Sequence, residues 1–419
     1  MLFRLMACNC GFRKRLRDDA LRSQAERLRL HAERMVYLDY CATTPPDPRT
    51  LGAMDRACRV SWANPSSPHT CGNQSDDLLQ NARAALAGAF ACDAGGIHFC
   101  SSGTEALHAA LWGFALRYTE AAFITTAMEH AALKSPLRLL RAMKRTVRVC
   151  PVDADGAINQ TELAALLRSH PGALLAYSVV NHESGTVQDA RAFWKLAKEE
   201  GAFVLMDAVQ GAGRLPAAEW SGYADAFAVS SHKIYAPKGS GFLWKRPGWR
   251  LARTRFGGSQ ENGFFPGTEN VPGIAAFAEA ASLLVAGMKA ENQVLFALEK
   301  DFFALAEKRG LPLSPESPAN HAPGVFCFSM DWADSMEDML LRLNRRNICI
   351  SRFSACSSGV DGPSRVLAAM GRPLERATRS LRMGLGRWSK RDDVYALLQG
   401  LEECRLEAGK RDETARLVL

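Results

Sequence analysis

Short apolar runs alternate with longer amphipathic stretches from about residue 50 to residue 270. Apolar runs of four to eight residues are typical of buried strands, and the stretches between them have the apolar spacing of helices. The alternation therefore predicts strand–helix–strand units and a mostly parallel sheet. The candidate strands cover residues 97–100, 122–126, 147–152, 173–180, 203–207, 226–230 and 241–244.

A second unit is predicted beyond this alternating region. Residues 272–309 form a long apolar-periodic stretch that predicts one or two helices, and the proline-rich residues 311–323 end it. We expect a large domain over residues 50–290. A small α/β domain is expected from residues 35–49 together with 291–419, and residues 1–34 form a basic N-terminal extension that is either helical or disordered.

The composition is that of an ordinary soluble globular protein, with 47% hydrophobic and 23% charged residues. We expect no apolar run long enough to cross a bilayer, and hence no membrane association. The formal net charge is +8, but residues 1–34 hold nine Lys or Arg against four Asp or Glu. That segment therefore accounts for +5 of the excess, and the remaining +3 does not indicate a nucleic-acid partner.

The twelve cysteines are scattered without a regular spacing. Their spacing fits neither a disulfide framework nor a metal site, so we expect no metal. The chain is also long enough to bury a core without covalent cross-links. We therefore expect a reducing, cytoplasmic location.

Two charged residues follow apolar runs and suggest pyridoxal 5'-phosphate (PLP) chemistry. Asp207 ends one candidate strand, and Lys233 follows the next in Ser230-Ser231-His232-Lys233. PLP chemistry needs an amine that holds the cofactor aldehyde and a carboxylate that keeps the pyridine nitrogen protonated. Ligands of parallel sheets bind where the strands end, so Lys233 and Asp207 are candidates for these roles.

Further segments make the chain resemble the cysteine desulfurases of the NifS/IscS type, which are class V aminotransferase-family enzymes. The resemblance covers about residues 36–388 and implies an α/β, aspartate aminotransferase-like PLP fold type I, with a large mostly parallel-sheet domain and a smaller α/β domain. The segments that carry it, in family order, are Tyr37 to Thr44, Asn64 to His69, Ser102-Gly103-Thr104-Glu105, Glu129-His130, Asp207-Ala208-Val209-Gln210, Ser230 to Lys233, Gly267 to Pro272, Ser354 to Ser358 and Ser380-Leu381-Arg382.

The cofactor phosphate is expected at the start of a helix. Gly103 and Thr104 follow a candidate strand and open a helical pattern, where free N–H groups bind anions. The resemblance adds Ser230 and His232 to this phosphate site. It also implies that Thr268 reaches the site from a second subunit, and hence a homodimer.

The resemblance also implies which residues contact the cofactor ring and the substrate. His130 is expected to stack on the ring and to act as an acid or base, since its near-neutral pKa suits proton transfer. Gln210 and His182 are expected near the phenolic oxygen. Arg382 can pair with a carboxylate through two parallel hydrogen bonds, and Asn181 is placed beside it at the substrate.

Cys356 lies among small polar residues that predict an exposed loop, where a thiolate can reach a substrate. The resemblance makes it the nucleophile that becomes a persulfide. The implied reaction converts L-cysteine to L-alanine, and the persulfide passes to an acceptor protein of iron–sulfur assembly or tRNA thiolation. Two alternatives stay open: a related PLP enzyme, such as a selenocysteine lyase or a class V aminotransferase, and a non-catalytic homologue that binds a partner.

The chain departs from the family pattern at several positions. His182 stands where the family has an asparagine, and Leu107 and His108 replace two more. Asn262 and Phe265 replace arginines, and Phe353 replaces a glycine before Ser354. These changes are expected to affect the electronics of the cofactor and the substrate side, since they surround both.

Overall fold

A seven-stranded sheet is the centre of the larger part of the fold in the computed structural model, which describes residues 35–333, 335–353 and 362–418, with side chains to residue 407. The strands of the whole described chain are β1 (Val36–Tyr37), β2 (Ile97–Cys100), β3 (Phe123–Thr126), β4 (Val147–Cys150), β5 (Leu174–Ser178), β6 (Phe203–Asp207), β7 (Ala226–Ser230), β8 (Gly241–Lys245), β9 (Ser314–Pro315), β10 (Val325–Ser329), β11 (Ile348–Cys349) and β12 (Ser380–Gly384).

The large sheet has the order β2-β8-β7-β6-β5-β3-β4. β8 runs antiparallel to both of its neighbours, and the other pairs are parallel. All seven predicted strands are present, which confirms the mostly parallel α/β sheet. Three are shorter than predicted: β3 begins one residue later, and β4 and β5 end early because Val152 and Val180 form only single bridges with Ile158 and Val187 outside the ladder.

Helices cover the sheet and lead to the second unit. They are α1 (Pro48–Val60), α2 (Thr70–Ala89), α3 (Gly103–Arg117), α4 (Ala131–Ala142), α5 (Gln160–Ser169), α6 (Ala190–Glu199), α7 (Val271–Lys308), α8 (Met336–Arg345), α9 (Arg365–Ala369), α10 (Leu374–Thr378) and α11 (Arg391–Val418).

Side chains alternate between the two faces of the large sheet. Along β5, Leu175 and Tyr177 enter one hydrophobic core, while Leu174 and Ala176 enter the core on the opposite face. Strand geometry imposes this two-residue period. Because both faces are covered, the central strands are apolar throughout, as parallel sheets require.

Apart from the two faces of the large sheet, the second unit has its own hydrophobic core, called here the second core. It lies around a three-stranded antiparallel sheet of order β12-β10-β9. It draws residues from Leu38 and from positions 295–404, including Phe302 of α7 and Phe326 and Phe328 of β10. The domain limits given above stay a prediction.

Helix α7 is one continuous helix of 38 residues, and it packs against α1, α2 and α11. By length and composition alone it could cross a membrane, so the expectation that no apolar run is long enough was wrong on that criterion. Just over half of its most apolar window, 56%, is buried inside the protein. Its hydrophobic residues Ile274, Phe277 and Leu284 belong to the core of the large sheet, which is the usual reason for such a composition in a core helix.

The segment after β1 crosses from the second unit to the large sheet. Leu38 lies in the second core, Asp39 bridges to Gly384 of β12, and the Thr44 N–H donates to the His232 carbonyl. Gly384 permits this crossing, because a Cβ there would lie 2.6 Å from the Cys41 nitrogen. The crossing brings residues 39–44 next to the carboxyl ends of the large-sheet strands.

Truncation of Phe302 tests the second core. Its ring is fully buried and lies 4.9 Å from the Phe328 ring centroid. We expect Phe302→Ala to lower the free energy of unfolding by about 3–5 kcal/mol in urea titrations, because it leaves a cavity. On the same helix Val285 is 62% exposed, so Val285→Ala should change it by less than about 0.5 kcal/mol. Equal effects of the two substitutions would contradict this packing.

Candidate active site

A partly open cavity of about 200 Å³ lies at the carboxyl ends of the large-sheet strands. Its wall combines strand ends, the first turn of α3, the start of α4 and the crossing segment. Ten of the thirteen site residues predicted from the sequence line it: Gly103, Thr104, His130, His182, Asp207, Gln210, Ser230, His232, Lys233 and Arg382.

Asp207 and Lys233 are brought together by neighbouring parallel strands. Asp207 is the last residue of β6, and Lys233 closes the short 3₁₀ turn that follows β7. β6 and β7 pair in parallel, with Asp207 opposite Ala228, so both chain segments leave the same edge of the sheet. Both side chains line the one cavity.

The Lys233 amine is buried and donates to two backbone carbonyls. Its Nζ lies 2.5 Å from the Cys41 oxygen and 2.9 Å from the Ala42 oxygen. Burial lowers the pKa of Lys233 to about 8, and the nearby Arg382 charge adds to this effect. A sizeable share of these amines is therefore neutral near pH 8, the form that attacks an aldehyde.

The Asp207 carboxylate is buried opposite. Its Oδ1 accepts the Val209 N–H at 3.0 Å, while burial raises the pKa of the carboxyl above its ordinary value. A buried carboxylate without a cation of its own is costly, and a protonated ring nitrogen placed beside it would supply that cation.

The end of the cavity formed by α3 suits a phosphate. Ser102 caps the helix by accepting the Glu105 N–H through its hydroxyl, and the N–H groups of the first turn have no acceptor inside the helix. Gly103 is required there, because a Cβ would lie 2.5 Å from the Val209 Cγ2 atom and 3.6 Å from the Ser230 Cβ. Helix N–H groups, the Thr104 and Ser230 hydroxyls and His232 together fit an anionic group.

His130 is a neutral imidazole in the cavity wall. It precedes α4, and its Nδ1 accepts the Ala132 N–H at 3.1 Å, so the ring proton lies on Nε2. Burial lowers its pKa to about 3, and the neighbouring His182 and Lys233 act in the same direction. The preceding residue, Glu129, accepts hydrogen bonds from Thr126 and Ser178, and burial raises its pKa to about 7.

The Arg382 guanidinium is buried and already faces a carboxylate. Its Nη2 lies 2.8 Å from Asp39 Oδ1, and its Nη1 donates to the His182 carbonyl at 3.1 Å. Ser351 fixes the other Asp39 oxygen at 2.7 Å. The guanidinium is thus held in place at the cavity, with its Nε unpaired within the described part of the chain.

Several cavity residues were missed by the sequence reasoning. Cys41 and Ala42 receive the Lys233 amine through their carbonyls, and the Gln210 side chain also donates to the Cys41 carbonyl, at 2.7 Å. Asp39 fixes Arg382. All three missed residues lie within the segment Tyr37 to Thr44 already singled out, which was the available signal. Cys41 and Ala42 contribute backbone carbonyls, which every residue type has. Their role could therefore not be predicted from the identity of their side chains.

Two predicted site residues, Asn181 and Thr268, lie away from the cavity wall. The Asn181 side chain is buried in its own turn, where it accepts the Glu183 N–H and donates to the Met128 carbonyl. Thr268 is exposed and does not line this cavity. Cys356 lies outside the described residues. The individual roles of all thirteen residues stay predictions.

The departures from the family pattern divide into two groups. Leu107 and His182 line the cavity, so they act directly on whatever it holds. Phe265 and Phe353 do not line it: Phe265 packs in the core beside α3, and Phe353 lies under the Arg352 guanidinium. His108, at the position after Leu107, does not line it either.

These features fit PLP. This cofactor requires a lysine that can be neutral near physiological pH, a buried carboxylate and an anion site at a helix N-terminus, and the cavity has all three. The residues that would hold it are Lys233 at the aldehyde, Asp207 at the ring nitrogen, and Thr104, Ser230 and His232 at the phosphate.

Comparisons with known proteins agree with this site. The family model for aminotransferase class-V matches residues 36–397. The cysteine desulfurase IscS of Dictyoglomus turgidum is 34% identical over 373 residues, which cover 88% of this chain and 94% of that protein. A solved NifS-like protein superposes with a TM-score of 0.81 at 27% identity, over 88% of this chain and 99% of the other. SspA in complex with cysteine gives a TM-score of 0.73 at 25% identity, over 84% and 99% of the two chains.

The fold and the cavity define a PLP enzyme of fold type I. The chain belongs to the aminotransferase class-V family, and within it to the cysteine desulfurases of the NifS/IscS type, whose cofactor is PLP. The resemblance stated from the sequence, and the fold class that it implied, are confirmed.

The lowered pKa of Lys233 predicts how cofactor attachment depends on pH. Only the neutral amine attacks, so the attachment rate should rise with pH and level off above about pH 8, well below the value for an exposed lysine. The measurement is the growth of visible absorption after cofactor-free protein is mixed with PLP between pH 6 and pH 10. Lys233→Arg should show no growth. A rate that still rises steeply above pH 9 would contradict a buried amine.

Proposed function

We propose that this protein is a cysteine desulfurase that converts L-cysteine to L-alanine. The observation that carries the proposal is the meeting of Lys233, Asp207 and Arg382 in one cavity, because a lysine, a carboxylate and an arginine are what PLP chemistry on an amino acid requires. The similarity to SspA, whose structure holds cysteine, supports the choice of substrate.

The substrate carboxylate binds at Arg382 in this proposal. The guanidinium is buried and held at the cavity by Asp39, and its planar fork matches a carboxylate. An incoming carboxylate would share the guanidinium with Asp39, whose negative charge balances that of Arg382. The two missed carbonyls, of Cys41 and Ala42, keep the Lys233 amine in place nearby.

Proton transfer is assigned to Lys233. When bound, the cofactor supplies an electron-accepting ring and an aldehyde that links to amines. The Lys233 amine, released when substrate takes its place, removes the α-proton, since its lowered pKa makes it a base near neutral pH. Asp207 balances the positive charge at the ring nitrogen. His130, with its proton on Nε2, assists these transfers as a donor in this proposal.

The sulfur is assigned to Cys356, which lies outside the described residues. Its thiolate attacks the substrate sulfur, a new sulfur–sulfur bond forms, and the carbon–sulfur bond breaks with its electron pair left on the substrate carbon. Protonation of that carbon yields alanine. The persulfide on Cys356 is then passed to an acceptor protein.

The finer assignments complete the proposal. Thr268 is exposed on its own chain, which supports a homodimer in which it serves the partner subunit's cavity. All nine cysteines in the described part of the chain are free thiols, which supports a reducing, cytoplasmic location. The relatives named IscS and NifS-like favour an acceptor in iron–sulfur cluster assembly, with tRNA thiolation as the other candidate.

The role of Arg382 is tested by Arg382→Lys. Lysine keeps the charge but loses the paired hydrogen bonds, so kcat/KM for cysteine should fall about 10- to 100-fold, mainly through a higher KM. Alanine production at varied cysteine concentration measures this. Arg405→Lys, on the exposed face of α11, is the matched control and should leave both constants unchanged. An unchanged KM for Arg382→Lys would contradict binding of the substrate carboxylate at Arg382.

The role of Cys356 is tested by Cys356→Ala. The variant should keep the yellow cofactor and its spectral reaction with L-cysteine, yet produce neither sulfide nor alanine by the persulfide route. Alanine and sulfide are measured together with a reductant present, with cysteine, selenocysteine and cystine as parallel substrates. Cys58→Ala, at an exposed cysteine of α1, should behave as the parent protein. Equal alanine from Cys356→Ala would count against the assignment.

A further inference from the structure

The chain segment that carries Cys356 begins beside the candidate substrate site, after Ser351. The Ser351 carbonyl accepts the Arg382 N–H at 2.8 Å, and its hydroxyl donates to Asp39 Oδ2 at 2.7 Å. Asp39 also pairs with the Arg382 guanidinium at 2.8 Å. Cys356 itself lies outside the described residues, but it follows Ser351 by five positions, and one residue spans at most about 3.6 Å. Its Cα is therefore within about 18 Å of the Ser351 Cα.

The chain on the other side of Cys356 is held at Ser364, the N-cap residue of helix α9. The Ser364 hydroxyl donates to Glu183 Oε2 at 2.6 Å, and Glu183 follows directly after His182 of the cavity wall. The Ser364 N–H donates to the Ala377 carbonyl at 3.0 Å. Both flanks of the Cys356 segment are thus attached to residues at or next to the cavity.

The Arg352 side chain joins these two flanks to each other. Its Nη2 donates to the Gly362 carbonyl at 3.2 Å and to the Thr378 carbonyl at 2.9 Å. The two acceptors lie 10 and 26 positions further along the chain, so the contacts are not those of a local turn. Because the donor is charged, these hydrogen bonds are stronger than those between neutral groups. Arg352 therefore ties the flanks together at the base of the segment.

Both sides of this contact have a residue suited to it. The Arg352 guanidinium carbon lies 4.7 Å from the centroid of the Phe353 ring, and that ring is buried. An arginine above an aromatic face is attracted to it, which limits the directions that the guanidinium can take. On the acceptor side, Gly362 has a φ of 152°, which L side chains rarely adopt, and Pro363 fixes the φ that follows.

Loop length alone does not account for what Arg352 contributes. Without its hydrogen bonds the nearest fixed residues are Ser351 and Ser364, so the free segment grows from the nine residues 353–361 to the twelve residues 352–363. Closing the longer loop is less favourable by only about 1.5-fold. A hydrogen bond from a charged group changes a population by about tenfold or more. The larger effect of Arg352 is therefore to fix the two flanks relative to each other.

We propose that Arg352 is a positioning residue for the sulfur-transfer step, because it holds the flanks of the Cys356 segment so that the thiol stays within reach of the substrate sulfur. This inference rests on the proposed function, in which Cys356 is the nucleophile. Arg352 does not line the cavity, so attachment of the cofactor and binding of the substrate do not depend on it. It exchanges no proton and forms no covalent bond; it acts through the geometry of the attack.

The test compares PLP-loaded Arg352→Ser with the parent protein. We expect kcat for alanine and sulfide from L-cysteine, with a reductant present, to fall about 5- to 20-fold without a rise in KM, since a charged hydrogen bond is lost. The spectral reaction of the cofactor with L-cysteine, which precedes sulfur transfer, should keep its parent rate. Arg352→Lys retains the charge and a donor, so it should restore part of kcat. Phe353→Leu removes the ring beside the guanidinium and should act in the same direction as Arg352→Ser, with a smaller effect.

Two controls separate this role from general loss of structure. Arg405→Ala removes a guanidinium–carbonyl bond of the same kind, to Gly310 at 2.7 Å on the exposed side of α11, and should leave kcat unchanged. In a Cys356→Ala background, Arg352→Ser should not alter the spectral reaction with L-cysteine. Hydrogen exchange gives a readout that needs no catalysis: backbone N–H groups in peptides covering residues 348–353 and 362–370 should exchange faster in Arg352→Ser and at the parent rate in Arg405→Ala.

Three results would overturn the inference: an unchanged kcat in Arg352→Ser, a spectral reaction slowed as much as alanine production, or unchanged hydrogen exchange at both flanks. A parent protein that makes no alanine from L-cysteine would contradict the proposed function instead. The exchange measurement would then still decide whether Arg352 ties the flanks together.

Discussion

The structure depends on the burial of one amine and one carboxylate at the ends of two adjacent parallel strands. Each group would be costly alone in an apolar interior, and the pKa of Lys233 falls while that of Asp207 rises for this reason. A cationic ring bound beside Asp207 would offset the cost of that carboxylate, and the link to the cofactor would replace the costly ammonium of Lys233. Binding of the cofactor is therefore tied to the same electrostatics that prepare Lys233 as a nucleophile and a base.

The fold places these groups by topology rather than by local sequence. The large sheet brings the ends of β2, β3, β5, β6 and β7 to one edge, although they are far apart in the chain. The crossing segment then closes this edge from the second unit and supplies backbone acceptors for Lys233. Its path depends on Gly384, where any side chain would meet the backbone of Tyr40 and Cys41. Packing in the second unit thus reaches the chemistry through this close backbone contact as well as through Arg382 of β12.

The sequence alone predicted the strands of the large sheet well, because parallel strands buried on both faces are continuous apolar runs. Lys233, Asp207 and the helix start at Gly103 were also readable, since each follows such a run. The contacts that the sequence did not predict are of a different kind. The Arg382–Asp39 pair joins positions 343 residues apart, and nothing local to either residue marks the contact. Asn181, assigned to the substrate by its place in a motif, makes its hydrogen bonds within its own turn, because the identity of a residue does not give the direction of its side chain.

The central claim is that PLP is attached to Lys233 and to no other lysine. Reduction of the yellow protein with borohydride makes the link permanent, and digestion followed by mass spectrometry locates it. The account predicts the added mass of the reduced cofactor on the peptide that contains Lys233. A modified peptide from elsewhere in the chain, with the Lys233 peptide unchanged, would contradict it.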